Sequence, residues 1–316
     1  SGRWHEGTHA LMASVRNLVA LTAGAVVAAV GLTACQSGSD TGRVLDERPA
    51  GVEGDDLTVR VPSAEIVFTV GSPVDEVDGV DAPGNGAIVP IGWKVTRQPA
   101  GPFAGFTAES EVEVVTDEGS IDLVTIDDES GADAAAWVVV PGNGEDVELR
   151  VTYDGVAQTV STGGESEYGA AAAYYDPAAD GIDVPCGATV WKREDLLLEC
   201  RTTAWVLPYA PDSGWADEGS VYAVVQPRLR LERILDATQR LETVFVQDRS
   251  TLDGKAPAVA LERGDSGTGS VGGVLVAQVP SGGDHVWQAS LGFEITEGAR
   301  KGEAVALEAD LPFRGR

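Results

Sequence analysis

The chain of 316 residues is long enough for two domains of ordinary size, and its 39 glycines and 16 prolines predict many turns and few long helices. Fifty acidic residues against 22 basic ones give a net charge of -28 spread along the chain, which repels phosphate backbones and excludes nucleic-acid binding. The 43% hydrophobic content suits a folded body, and an all-β one fits best.

Residues 1–11 precede Met12, the sole methionine, and translation is expected to start there. His5 and His9 in that leader gain no function from either reading of it, a misplaced start or a remnant of expression. Residues 12–35 read MASVRNLVALTAGAVVAAVGLTAC, with Arg16 in a short n-region, an apolar run over 18–30 and small residues before Cys35. This is the anatomy of a signal peptide, and the run is short for a membrane span of about 20 residues. The ending Leu32-Thr33-Ala34-Cys35 resembles the bacterial lipobox. That resemblance implies a diacylglyceryl group on the Cys35 thiol and cleavage before it, and two acyl chains hold a protein stably on a bilayer. Arg16 has no arginine neighbour, which favours the general secretory route. The expectation is an exported chain, lipid-anchored to the outer face of the cytoplasmic membrane, with residues 1–34 removed.

Residues 35–56 are polar, rich in Gly, Ser and Asp and without hydrophobic period, and are expected to form a flexible tether. Short β-rich runs then alternate with turn clusters at 57–61, 64–70, 87–96, 111–116, 121–126, 135–140 and 146–153. A second block echoes the first. Residues 65–73 align with 200–208 and 140–147 with 279–286, in the same order and on strand-and-turn patterns. The predicted organisation is a first β-sandwich at 57–164, a linker at 165–185 and a second sandwich at 186–316. Together these resemble tandem immunoglobulin-like domains, similar to those of many actinobacterial envelope lipoproteins, and the bias toward Ala, Gly, Val, Asp and Arg over Lys resembles a GC-rich genome. Leu231, Ile234, Leu235, Thr238 and Leu241 have helical spacing, so residues 231–241 stay open between a short helix and a strand.

Cys186 and Cys200 flank two β-like arms around a charged turn at 192–195. A hairpin centred on Arg193 sets Cys186 opposite Cys200 and Val190 opposite Leu196, with Ala188, Val190, Leu196 and Leu198 on the face of the two cysteines. With Cys35 taken by lipid these are the remaining thiols, and export brings oxidising conditions, so a structural disulfide is predicted. Redox work calls for a tighter Cys-x-x-Cys spacing.

Several motifs fail on inspection. Gly264-Asp265-Ser266-Gly267 resembles the nucleophile motif of trypsin-like proteases, but that family places its histidine before the serine, whereas His285 follows Ser266. The formal G-x-G-x-x-G at 267–272 is followed by a strand-like run in place of the helix that a dinucleotide fingerprint needs. A lone histidine in the mature chain does not build a zinc site, and the acidic clusters at 75–81 and 127–129 lack EF-hand spacing and read as solvated loops. No metal or other cofactor is therefore expected. Trp93, Trp137, Trp191, Trp205 and Trp287 fall in or beside strands and read as core, while Trp215 sits in a turn-rich loop and is the candidate ligand or partner contact. The expected function is non-catalytic: protein binding or scaffolding with an envelope protein partner. A module for cell-wall glycan or a small ligand is the alternative, and a hydrolase with an acidic dyad is a third reading.

Overall fold

The computed structural model describes residues 41–97, 101–103, 109–127, 133–193, 195–236, 239–259, 261–264 and 269–314. The lipobox with Cys35, the acidic residues 128–129 and the loop 265–268 lie outside the described residues. The described chain is nearly all β, built from antiparallel ladders with two short 3-10 helices. Among the described residues no helix is long and apolar enough to cross a membrane.

The first half contains β1 (Arg43–Val44), β2 (Gly54–Val61), β3 (Ala64–Gly71), β4 (Gly86–Arg97), β5 (Ser110–Thr116), β6 (Gly119–Ile126), β7 (Asp133–Pro141), β8 (Glu148–Tyr153) and β9 (Val156–Ser161). One sheet runs β1-β7-β4-β3-β2; the facing sheet runs β6-β5-β8-β9 and ends on a short strand at Ser166–Glu167. Alternation decides which side chains meet between them: Ile66 and Phe68 of β3 join Leu149, Val151 and Tyr153 of β8 in one core. The β4 run 87–91 is buried throughout because both its faces are covered. Val89 and Ile91 enter the main core, while Ile88 packs with Val77 and Val139 in a small satellite cluster. Two elements begin inside the expected tether: β1 pairs with β7 through Arg43↔Val139, and β2 starts at Gly54.

The second half contains β10 (Ile182–Val184), β11 (Leu196–Leu207), β12 (Ser220–Asp236), β13 (Thr243–Asp248), β14 (Leu275–Pro280), β15 (Asp284–Ile295) and β16 (Ala304–Arg314). Strands β10-β11-β12-β14 form one sheet, extended beside β12 by Ser270–Gly272 and Glu262–Arg263, and β13-β15-β16 form the other. The connectivity repeats that of the first half. A pair of neighbouring strands (β3-β4, β11-β12) is followed by a crossing to the facing sheet (β5, β13). The chain then returns beside the pair (β7, β14) and crosses again into a hairpin (β8-β9, β15-β16). This is a Greek-key β-sandwich connectivity. The two aligned sequence repeats fall on equivalent strands, β3 with β11 and the β7-to-β8 passage with β14-to-β15.

The halves are fused, and Ser39–Arg316 forms one compact unit. The β11-β12 ladder is buried on both faces near its Leu207↔Tyr222 end. Trp205, Leu207, Tyr222 and Val224 belong to the first core, and their chain neighbours Ala204, Val206, Ala223 and Val225 to the second. Segment 165–185 folds into 3-10 helices at Gly169–Tyr175 and Pro177–Asp180, whose Tyr174 enters the first core and Ala178 the second. It is held by Arg60, whose guanidinium donates to the Tyr174 carbonyl at 3.0 Å and to Asp180 at 3.1 Å. The Tyr175 hydroxyl accepts from the Arg60 backbone N–H at 3.0 Å and donates to the fully buried Gln158 at 2.7 Å.

Residues 231–236 and 239–241 are strand. The ladder steps from Leu198↔Leu231 to Leu197↔Arg233, so position 232 is an extra residue, a β-bulge. That bulge brings Leu231 and Ile234, three apart in sequence, to the same core, and it is the physical source of the helical spacing.

Candidate functional site

The outer face of the β11-β12 sheet changes character along its length. Cross-strand pairs run Leu207↔Tyr222, Trp205↔Val224, Thr203↔Gln226, Arg201↔Arg228 and Glu199↔Arg230. The first two pairs lie under the first sandwich. The last two are exposed, since the cover ends at Thr203 and Gln226, which are half-buried. Period-two alternation puts the arginines outside because Leu229 and Leu231, between and beside them, are anchored in the second core.

The uncovered face forms a groove of about 1170 Å³ lined by Arg201, Arg228, Arg230 and Arg263. Glu199 and Glu262 interleave with these cations, Val259 adds an apolar wall 54% exposed, and the glycines 264, 272 and 273 contribute no side chain. Directly opposed like charges on a sheet surface are unfavourable. Arginine keeps its charge at any physiological pH and presents a planar fork of donors suited to carboxylate or phosphate. The groove is thus a concentration of permanent cations on a protein of net charge -28.

The predicted bridge is present. Cys186 and Cys200 are joined by a disulfide with Cα atoms 5.7 Å apart, and Cys200 lines the floor of the arginine groove. The β10-β11 ladder, Val184↔Thr202, extrapolates to Cys186 opposite Cys200. The first arm is not a strand, however: residues 187–192 coil through turns, so Val190 does not pair with Leu196. Trp191 causes this by burying its ring in the second core and donating its indole N–H to the Cys186 carbonyl at 2.8 Å. At the turn, Arg193 donates to Asp195 at 2.7 and 2.8 Å, and this hydrogen bonding holds the Asp195 carboxyl below its usual range.

Trp215 sits elsewhere, half-buried at the junction of the halves. Its indole N–H donates to the Tyr153 carbonyl at 3.2 Å, and its ring meets Tyr209, Tyr153 and Tyr174 edge-on at 5.2, 6.2 and 6.3 Å. Burial pushes the Tyr153 and Tyr174 phenols well above the ordinary phenol range. Tyr175 is raised to about 12, chiefly by burial, against a lowering by its hydrogen bond from Arg60.

His285 Nδ1 lies 2.7 Å from Asp253 Oδ2, and Asp253 also accepts the Val286 N–H at 2.7 Å. Asp253 and Gly254 have φ of +50° and +75°, as a two-residue primed turn demands. The imidazole is 2% exposed and its Nε2 has no hydrogen-bond partner among the described residues, so the histidine is out of reach of a substrate although Asp253 is only half-buried. The acidic stretch 75–81 forms a small hairpin, Glu76–Val77 with Val80–Asp81, and among the described residues no three His, Cys, Asp or Glu side chains are placed to hold a metal ion.

Sequence reasoning missed the groove. Its signal was Pro227-Arg228-Leu229-Arg230-Leu231, in which cations alternate with leucines; Arg201 carried no signal, because its position opposite Arg228 depends on register. Comparison with known proteins finds no match: no family model, no curated protein and no solved structure is significantly similar to this chain.

Proposed function

We propose that this chain is a non-catalytic cell-envelope lipoprotein, exported and anchored through a lipid on Cys35 to the outer face of the cytoplasmic membrane, and that it binds a partner protein through the arginine groove. The observation that carries the binding role is the opposed pair Arg201 and Arg228, kept on an exposed sheet face where like charges cost stability. A face serving only solubility on this acidic protein gains nothing from that pairing. Proteins retain such local costs where a surface is used. The anchor rests on the lipobox-like ending and the apolar run before it.

The binding role is tested by placing a photo-crosslinking residue at Gln226, inside the groove, or at Asp122, exposed on the first half, and irradiating living cells. One recurrent envelope protein crosslinked from Gln226 and absent from Asp122 is the expected result. Equal crosslinking from both positions, or none from Gln226, overturns it. For the anchor, Cys35→Ala is expected to abolish acylation and to block cleavage before residue 35; a substituted precursor still lipidated and cut there overturns that part.

A further inference from the structure

Resting on that reading, we infer that the groove takes an acidic segment of the partner protein, in which a side-chain carboxylate sits next to an aliphatic residue. Three observations select this chemistry. Arg201 and Arg228 are direct cross-strand partners, with Cα atoms roughly 5 Å apart, which puts both planar forks within reach of one small anion, and two charge-assisted forks match a carboxylate better than any neutral group. Glu199 and Glu262 are interleaved with the arginines in the same groove. They repel a contiguous polyanion, in which every repeat carries charge, and tolerate discrete carboxylates set among neutral residues. Val259 forms part of the wall and is 54% exposed, an aliphatic surface that a side chain beside the carboxylate covers.

Segments of this kind bind without deep enclosure. Glycines 264, 272 and 273 line the far side of the groove and add no side chains of their own to narrow it. Exposed charge pairs of this type weaken with salt, so binding falls as ionic strength rises.

The test uses the full chain in detergent micelles and a fluorescent, C-terminally amidated peptide of alternating glutamate and valine, read by anisotropy. A peptide of alternating glutamine and valine and an inorganic polyphosphate chain serve as comparison probes. Saturable binding of the glutamate peptide is expected, with the glutamine peptide and polyphosphate each weaker by roughly tenfold or more. The double variant Arg201→Ala, Arg228→Ala should lose a similar factor while keeping the thermal midpoint of the parent, and Arg201→Lys with Arg228→Lys should recover only part of it, because lysine lacks the fork. Arg150→Ala, on the first half, should leave binding unchanged. Tighter binding of polyphosphate, equal binding by the double alanine variant, or no saturable binding of the glutamate peptide overturns the inference. If any of these occurs while Gln226 still crosslinks one envelope protein, the acidic-segment assignment fails alone; if the crosslink is also missing, the protein-binding reading fails with it.

Discussion

Arg201 and Arg228 stand opposite each other on an antiparallel ladder whose adjoining outward pairs are polar, Thr203↔Gln226, and oppositely charged, Glu199↔Arg230. Replacing either by alanine removes a like-charge neighbour from an exposed face, so the thermal midpoint is expected to stay constant or to rise by about 1–2 °C. Calorimetry of the single variants decides this. A clear drop in midpoint would mean that the arginines hold the fold together and are not spared for a ligand.

The Cys186–Cys200 bridge closes a loop of sequence separation 14, for which chain entropy gives about 3 kcal/mol, less what the ladder beside it already constrains. The double substitution Cys186→Ser, Cys200→Ser is expected to lower unfolding free energy by about 2–3 kcal/mol in urea. A reductant should destabilise the parent by a similar amount and leave the double variant unmoved. Because Cys200 lines the groove, the same variant should also weaken peptide binding if the bridge fixes that edge of the site.

Trp215 has two roles to be separated. Its indole joins tyrosines from the first half, from the 3-10 segment and from its own hairpin, so Trp215→Ala removes a large half-buried ring from the junction and is expected to cost about 2–3 kcal/mol. Urea unfolding followed by near-ultraviolet circular dichroism measures this. If stability holds and the Gln226 crosslink is lost, Trp215 is a partner contact and its packing is incidental.

Alkaline stability should expose the polar knot at Arg60, Gln158 and Tyr175. The Tyr175 hydroxyl donates to buried Gln158, and its pKa rises from 10.0 to about 12. The folded state therefore holds the phenolic proton more tightly than the unfolded state. The resulting stability is present in full below pH 10.0 and is lost as pH rises toward about 12. Tyr153 and Tyr174 are raised in the same direction, so the losses add. Unfolding free energies measured between pH 9 and pH 11 should fall more steeply for the parent than for Tyr175→Phe; parallel slopes would remove Tyr175 from the account.

Local pattern alone carried much of the architecture. Alternation of apolar and polar residues located β2 to β8 to within a few residues, though it passed over β1 and β9, because burial on one face of a sheet writes itself directly into sequence with period two. The cysteine pairing was legible for the same reason: two thiols in phase on a predicted hairpin have few other partners. The repeat was legible as aligned punctuation, since proline and glycine mark turns by their own backbone geometry.

Three features were decided only by tertiary structure. The helical spacing of Leu231 and Ile234 became strand because a bulge at position 232 shifts the phase of β12, and a bulge exists only relative to a partner strand. Trp191 broke the expected hairpin arm because its ring found space in a core built from distant strands. The arginine groove arose because the first sandwich covers one end of the β11-β12 face and leaves the other bare, with register setting Arg201 against Arg228. Sequence by itself determines what each residue prefers along one strand, through sterics and hydration acting over a few neighbours. Which residues meet across strands depends on register and on where one half ends over the other, and that is where the charges of this site were brought together.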